Sequence, residues 1–566
     1  MMAEEDRAPL WKPWANPIFR RYCHSRLRLR GLGVSLLITV LIAGFIVAIV
    51  NSIGVHTKTN PVDAARMGLI PLLVLQGLLL FICGTAQVAG GMTAERDEGV
   101  IDYQRLIPMS PLSKVFGYLF GLPVREYVLF LTTLPFTAWS LWRGQVAWGV
   151  WLPLYAVIFT STLLYHFTGL LTGTVARNRR WAFLASIALV FCLYTIIPQM
   201  AKFGLVFFKY LTITPVFEES LPGLLPGSAG AAFKMWQQLS PTVKFFNLNF
   251  SEAVFTVFSQ GGLILTFVIM LCRKWRRTES HLLGKLGATG FFVWIQVLLL
   301  GNALPLIDPG VLFPSRGFSR TVGLSSNWGP MPAEAVVMSG LYGLVTLLLI
   351  FVLGSIITPS ADRQIRGWRR ARKHGAMSLP WLADAATGFW WVLIMAIAGA
   401  AGWFVFTRAL VESRWFPGHD VPLQTLAFFG VVMLTGGVGF QALLELKGRR
   451  VVTLAAIFAG VVPIMAGIVL APMSDRLVPL ATWLIGISPL SMPFYAPGSL
   501  LSLAELPREA ARAIPRAFFF WSMVSTVALL WLTARLWVAR QSMAKSVLAA
   551  AADPDAGNAR ADLKGQ

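Results

Sequence analysis

The sequence predicts an all-α integral membrane protein, and three observations carry that expectation. Hydrophobic residues make up 56% of the 566 residues and charged ones only 13%, with a mean hydropathy of +0.65, far from a soluble globular average. The apolar residues fall into runs of about 20, the length that crosses a hydrocarbon core. Lys and Arg gather in the short segments between those runs, as they do where charge sets membrane topology.

In chain order, segment 1–30 sets Trp11, Trp14 and Phe19 beside Lys12, Arg20, Arg21, Arg26, Arg28 and Arg30. This is the composition of an amphipathic helix lying among lipid headgroups. Asn16 is its expected cap and Pro17 its first helical residue. The first apolar run begins near Gly31, is long enough to span and lacks a small-residue cleavage pattern, so it is expected to stay in the mature protein.

Apolar runs then recur at Gly31–Ile53, Met67–Val88, Val115–Trp139, Ala147–Val175, Trp181–Phe207 and Val254–Cys272. A second set follows at Leu286–Leu306, Ala335–Ile357, Thr387–Phe406, Leu423–Leu444, Val451–Leu470 and Phe518–Ala539. The expectation is about twelve transmembrane helices, as two six-span halves at 31–277 and 278–545, followed by a disordered cytoplasmic tail at 546–566. Basic blocks at Arg177–Arg180, Arg273–Arg277, Arg363–Lys373, Lys447–Arg450 and Arg535–Lys545 occupy alternate loops. They place both termini in the cytoplasm of a multi-pass protein of the cell inner or plasma membrane.

The halves echo each other at a spacing of roughly 250 to 270 residues. Thr93-Ala94-Glu95-Arg96 mirrors Ser360-Ala361-Asp362-Arg363, Arg177–Arg180 mirrors Lys447–Arg450, and Leu239-Ser240-Pro241 mirrors Ile487-Ser488-Pro489. An even number of spans in each half makes the repeats parallel. The outer segments Lys209–Ala253 and Ala471–Pro515 are long and apolar, and Leu221–Leu225 and Leu477–Ile487 read as short helices at the outer leaflet.

One stretch stands apart from this pattern. Thr93–Lys114, directly after the second run, alternates acid and base through Glu95, Arg96, Asp97, Glu98 and Gly99, then ends in Pro108, Ser110, Pro111 and Lys114. By itself it reads as a solvated juxtamembrane helix laced with short-range ion pairs. It also resembles the first cytoplasmic loop of the membrane subunits of ABC exporters, the type-two permease class. The amphipathic segment around Trp11, Trp14, Asn16, Pro17, Arg20 and Arg21 resembles the interfacial entry helix of the same class.

That resemblance implies that Glu95–Gly99 docks on a separate ABC ATPase subunit, with Asp362 and Arg363 as the counterpart in the second half. It implies two ATPase copies, one under each handle, and an unknown transported substrate. The second loop departs from the pattern. Gln364, Ile365 and Arg366 replace the acidic residues, Trp368, Arg369, Arg370, Arg372 and Lys373 follow, and no second entry helix is evident near His281–Leu286.

The chain has no phosphate-binding Gly-x-x-x-x-Gly-Lys-Ser/Thr motif; Gly284-Lys285 is followed by Leu286. ATP and magnesium are therefore expected in the partner, with no cofactor in this chain. The six histidines lack metal-ligand spacing, no nucleophile elbow appears, and the four cysteines form no disulfide or metal pattern, so the chain is read as neither an enzyme nor a metalloprotein. The net charge of +22 is spread between apolar runs rather than along one basic face, which argues against nucleic acid as a partner. The bilayer is the expected partner instead. The alternatives are a secondary transporter with parallel repeats, driven by an ion gradient, and a scaffold that only recruits partners. For a carrier the ionisable candidates are Arg125, Glu126, His166, Lys202 and Glu445.

Overall fold

The computed structural model describes residues 13–175, 178–227, 229–230, 242–313, 315, 331–376, 378–417, 419–501 and 508–549. Trp11, Arg177, the Leu239–Pro241 repeat and the end of the tail lie outside them. Contacts divide the chain into two compact units, Met1–Ala201 with Phe207–Ser280, and Lys202–Val206 with His281–Gln566.

The first unit opens with helix α1 (Pro17–Arg26) and the long helix α2 (Leu29–His56). Then come α3 (Pro61–Asp97), α4 (Val100–Leu106), α5 (Pro111–Gly121) and α6 (Val124–Arg143). Helices α7 (Trp148–Val175), α8 (Arg179–Ala201) and α9 (Thr214–Leu224) follow. An antiparallel hairpin, β1 (Thr242–Phe245) with β2 (Leu248–Ser251), leads into α10 (Glu252–Arg276).

The second unit contains α11 (Lys285–Ile307), α12 (Pro332–Ile357), α13 (Ala361–Lys373) and α14 (Phe389–Val411). After them come α15 (Leu423–Leu470), the short α16 (Val478–Ile485) and α17 (Met492–Gly498), and α18 (Arg508–Ala549).

Apolar side chains face outward along these helices. On α2, Leu37 is 60% and Phe45 65% exposed, a surface stable only against hydrocarbon. Where helices meet, small residues allow the backbones to touch. A Cβ at Gly173 of α7 would stand 2.7 Å from Met92 Cβ of α3, and one at Gly343 of α12 would stand 2.6 Å from the Trp403 ring of α14. Lipid tails are as apolar as the side chains, so close packing of this kind holds membrane helices together.

Among the described residues, ten helices are long and apolar enough to cross a membrane. The number rises to eleven if α5 and α6, bent by 54° around Leu122 and Pro123, form one span. The chain is thus an all-α multi-pass membrane protein, with one small hairpin among the described residues. The difference from twelve arises in α15, where two expected runs join into 48 residues. A straight helix of that length would reach about 72 Å, against a core of about 30 Å. Gly448 interrupts it with φ 77° and ψ 179°, between Lys447 and Arg449.

The mirrored loop motifs also sit differently in the two units. Thr93–Arg96 continues α3 without a break, whereas Ser360 precedes a separate helix. Pro359 explains this, since the residue before a proline is driven out of the helical region.

Gly448→Ala is expected to cost about 1–3 kcal/mol, because the positive-φ, extended conformation at this break is one that only glycine adopts readily. A lower thermal unfolding midpoint for the purified protein, with the helical Gly149→Ala unchanged, checks it; equal midpoints would show that the break tolerates a side chain.

Candidate functional site

The charged loop is a helical elbow. Helix α3 ends at Asp97, Gly99 turns the chain with φ 73°, and α4 begins at Val100. A residue with a Cβ would be strained at that turn. Helix α4 ends against the buried Lys114, whose ammonium donates to the carbonyls of Arg105 (3.3 Å) and Ile107 (3.0 Å). This cation satisfies the negative end of the helix. Ser110 caps α5 by accepting from Ser113 N at 3.1 Å, with Pro111 as its first residue.

Asn16 caps α1 as expected, accepting from Ile18 N (3.0 Å) and Phe19 N (3.4 Å), and its amide donates to Ser113 O at 2.6 Å. Helix α1 lies on α5 over two glycines. A Cβ at Gly117 would meet Ile18 at 2.8 Å, and one at Gly121 would meet Tyr22 at 2.7 Å. Helix α1 is therefore seated in a groove that only small residues leave open.

Glu95 locks this assembly. Its side chain is 13% exposed, it is paired with Arg21, and it accepts from the Tyr22 hydroxyl at 2.7 Å and the Tyr118 hydroxyl at 3.3 Å. Tyr118 also donates toward Gln104 Oε1 at 2.7 Å and stacks on Trp275 with centroids 5.6 Å apart. Burial first, then the Glu95 carboxylate, pushes the Tyr22 phenol well above its ordinary range, so it remains a proton donor at neutral pH. One carboxylate joins α1, α3 and α5.

The other sequence-selected residues divide by exposure. Arg96 donates to the carbonyls of Gly173 (3.3 Å) and Thr174 (3.2 Å) at the end of α7 and pairs with Asp97 at 2.8 Å. Asp97, Glu98 and Gly99 are exposed and form the tip of the elbow. Pro17, Arg20 and Arg21 lie on the outer side of α1, and Trp14 precedes it, largely exposed.

In the second unit, Asp362 is exposed and Arg363 half-buried at the start of α13. The polar centre there is Glu445, whose side chain is 3% exposed, which pairs with Arg540 at 2.6 Å and accepts from Gln364 (2.5 Å) and Gln441 (2.6 Å). Sequence reasoning missed Tyr22, Tyr118 and Arg540 as partners, since they lie 73, 23 and 95 residues from the carboxylates they meet. The Gly117-x-x-x-Gly121 spacing was the available signal for the α1 groove.

Deeper in the first unit, α3 contains a π-helical turn at Leu78–Gly84. His166 of α7 meets the Leu80 carbonyl through Nε2 (3.0 Å) and the Tyr127 hydroxyl through Nδ1 (2.8 Å). A carbonyl only accepts, so Nε2 carries the proton and the histidine serves as a hydrogen-bonded packing residue. Among the described residues no group of three His, Cys, Asp or Glu converges as a metal site. No protein-family model, curated protein or solved structure matches this chain.

Glu95→Ala leaves the Tyr22 hydroxyl and Arg21 without their carboxylate acceptor, while Tyr118 keeps Gln104 Oε1, a loss of about 2 kcal/mol for hydrogen bonds to a charged group. Maleimide labelling of Cys23, half-buried on α1, is expected to quicken about tenfold or more, with Glu95→Gln intermediate. An unchanged rate would show that α1 is held by packing alone.

Proposed function

We propose that this chain is the membrane-spanning subunit of an ATP-driven ABC exporter, with two permease halves in one polypeptide and ATP hydrolysis in a separate partner. The observation that carries this reading is the construction of the elbow. Its acidic tip, Asp97 and Glu98, is exposed, while the residues behind it are tied down through Glu95, Arg96 and Lys114. A push on the tip would pass into α3 as a continuous helix, and through Glu95 into α1 and α5 together. A soluble motor needs a lever of this kind to move membrane helices.

The twelve-span plan belongs to the same proposal. Lys447, Arg449 and Arg450 flank the break in α15, and charges of that density are costly inside hydrocarbon. The break then lies at a membrane surface and separates two spans, which gives two groups of six and both termini in the cytoplasm, in the cell inner or plasma membrane. One ATPase copy would sit under Glu95–Gly99 and a second under Asp362 and Arg363, with ATP and magnesium bound there. Work would come from the partner's unequal affinity for two conformations of the spans.

An ion-gradient carrier is the second reading, favoured by Glu126. This carboxyl is 1% exposed, paired with Arg125 at 2.9 Å through Oε1, and its Oε2 has no hydrogen-bond partner. A buried carboxyl with an unsatisfied oxygen can exchange a proton.

Purification of the tagged full chain in mild detergent is expected to bring down an ATPase in stoichiometric amount. Asp97→Lys with Glu98→Lys is expected to release it and leave Cys23 labelling unchanged. Vesicle flux that ignores ATP, collapses with the proton gradient and is abolished by Glu126→Gln would establish the carrier instead.

A further inference from the structure

We infer that α13 is a docking site for anionic lipid, holding headgroup phosphates of the adjacent leaflet on its basic face. Arg366, Arg369, Arg370 and Lys373 recur at helical spacing and share one face of the helix. Arg366, Arg369, Arg370 and Lys373 are exposed.

The opposite face is fixed to the protein. Gln364 donates to Glu445, Gly367 lies against Ala385 so closely that a Cβ would come within 2.3 Å, and Arg372 donates to Val547 O at 3.1 Å. Gln364 and Arg372 are about 12 Å apart along the helix, yet they touch two different long helices, α15 and α18. Helix α13 therefore lies across the ends of the spans and does not extend away from them.

Its depth follows from Lys285, the first residue of α11. The ammonium donates to the carbonyls of Trp381 (3.1 Å), Ala383 (2.7 Å) and Ala386 (2.8 Å). These bonds pin the segment beneath α13 at the level where α11 and α14 begin. Trp381 and Leu382 on that segment are 65% and 49% exposed. An exposed Trp-Leu pair beside clustered arginines is the composition of a headgroup-level surface. An acidic protein would meet the cations but not the apolar pair, so the bilayer is the favoured occupant. Juxtamembrane basic clusters attract anionic lipid in this way.

The inference rests on the proposed function for reading the Gly448 break as the end of a span and for assigning α13 to the cytoplasmic leaflet. The test is lipid retention by the full chain, counted by native mass spectrometry after exposure to phosphatidylglycerol and phosphatidylcholine. Wild type is expected to keep phosphatidylglycerol preferentially, with the preference falling as salt rises. Arg369→Ala and Lys373→Ala are each expected to weaken phosphatidylglycerol binding about fivefold, and Arg369→Lys to retain most of it. Tryptophan-fluorescence melting verifies that the variants fold, and the salt series on wild type stands without them. Equal retention of both lipids overturns the inference, as does a variant that loses a bound acidic protein while its lipid count is unchanged. Neither outcome depends on the Asp97 and Glu98 result, so the two proposals can fail separately.

Discussion

Hydrocarbon offers no hydrogen bonds, and the structure depends on that constraint. Every backbone group within the bilayer must find a partner in the chain, and long helices provide one for nearly all of them. Two π-helical turns, Leu78–Gly84 of α3 and Ala456–Val461 of α15, disturb the regular ladder, and in each a carbonyl finds a partner elsewhere in the unit. His166 bonds the Leu80 carbonyl in α3, and Ser488 donates to the Gly460 carbonyl of α15 at 2.6 Å. Each substitution places a polar side chain deep among apolar ones, where leaving the carbonyl alone would cost more.

At the ends of the spans the same constraint appears as charge. Lys114 and Lys285 are buried, and both donate to backbone carbonyls. Glu95 and Glu445 gather several donors each and thereby tie helices that are distant in sequence. The two units reach this arrangement with different elements. In the first, the carboxylate lies near the end of α3 and joins α1 to the elbow; in the second, it lies before the Gly448 break and joins α13 to α18. Similar chemistry at unequal positions leaves one unit with an exposed acidic tip and the other with an exposed basic face.

That inequality bears on how the chain could be driven. A partner gripping Asp97 and Glu98 needs a basic surface, and one gripping α13 needs an acidic one. Assigning the basic face of α13 to lipid removes the conflict, since Asp362 and Arg363 at its first turn can still meet the partner. In the proposed reading the elbow would transmit motion while α13 would steady its unit against the membrane surface.

Much of this was legible in the sequence. Run length and apolar content determined an all-α membrane protein, Asn16-Pro17 determined where α1 begins, and Ser110-Pro111 determined where α5 begins, because capping and span length are local properties of a few neighbouring residues. The hairpin at Thr242–Ser251 was missed although Val243, Phe245, Phe250 and their neighbours alternate, since its long apolar surroundings read as one loop. Only the tertiary structure decided that Glu95 is a clamp and not part of the exposed tip, that two apolar runs join at Gly448, and that α13 bridges α15 and α18. Each depends on which distant side chains share a few ångströms, and sequence spacing carries no record of that.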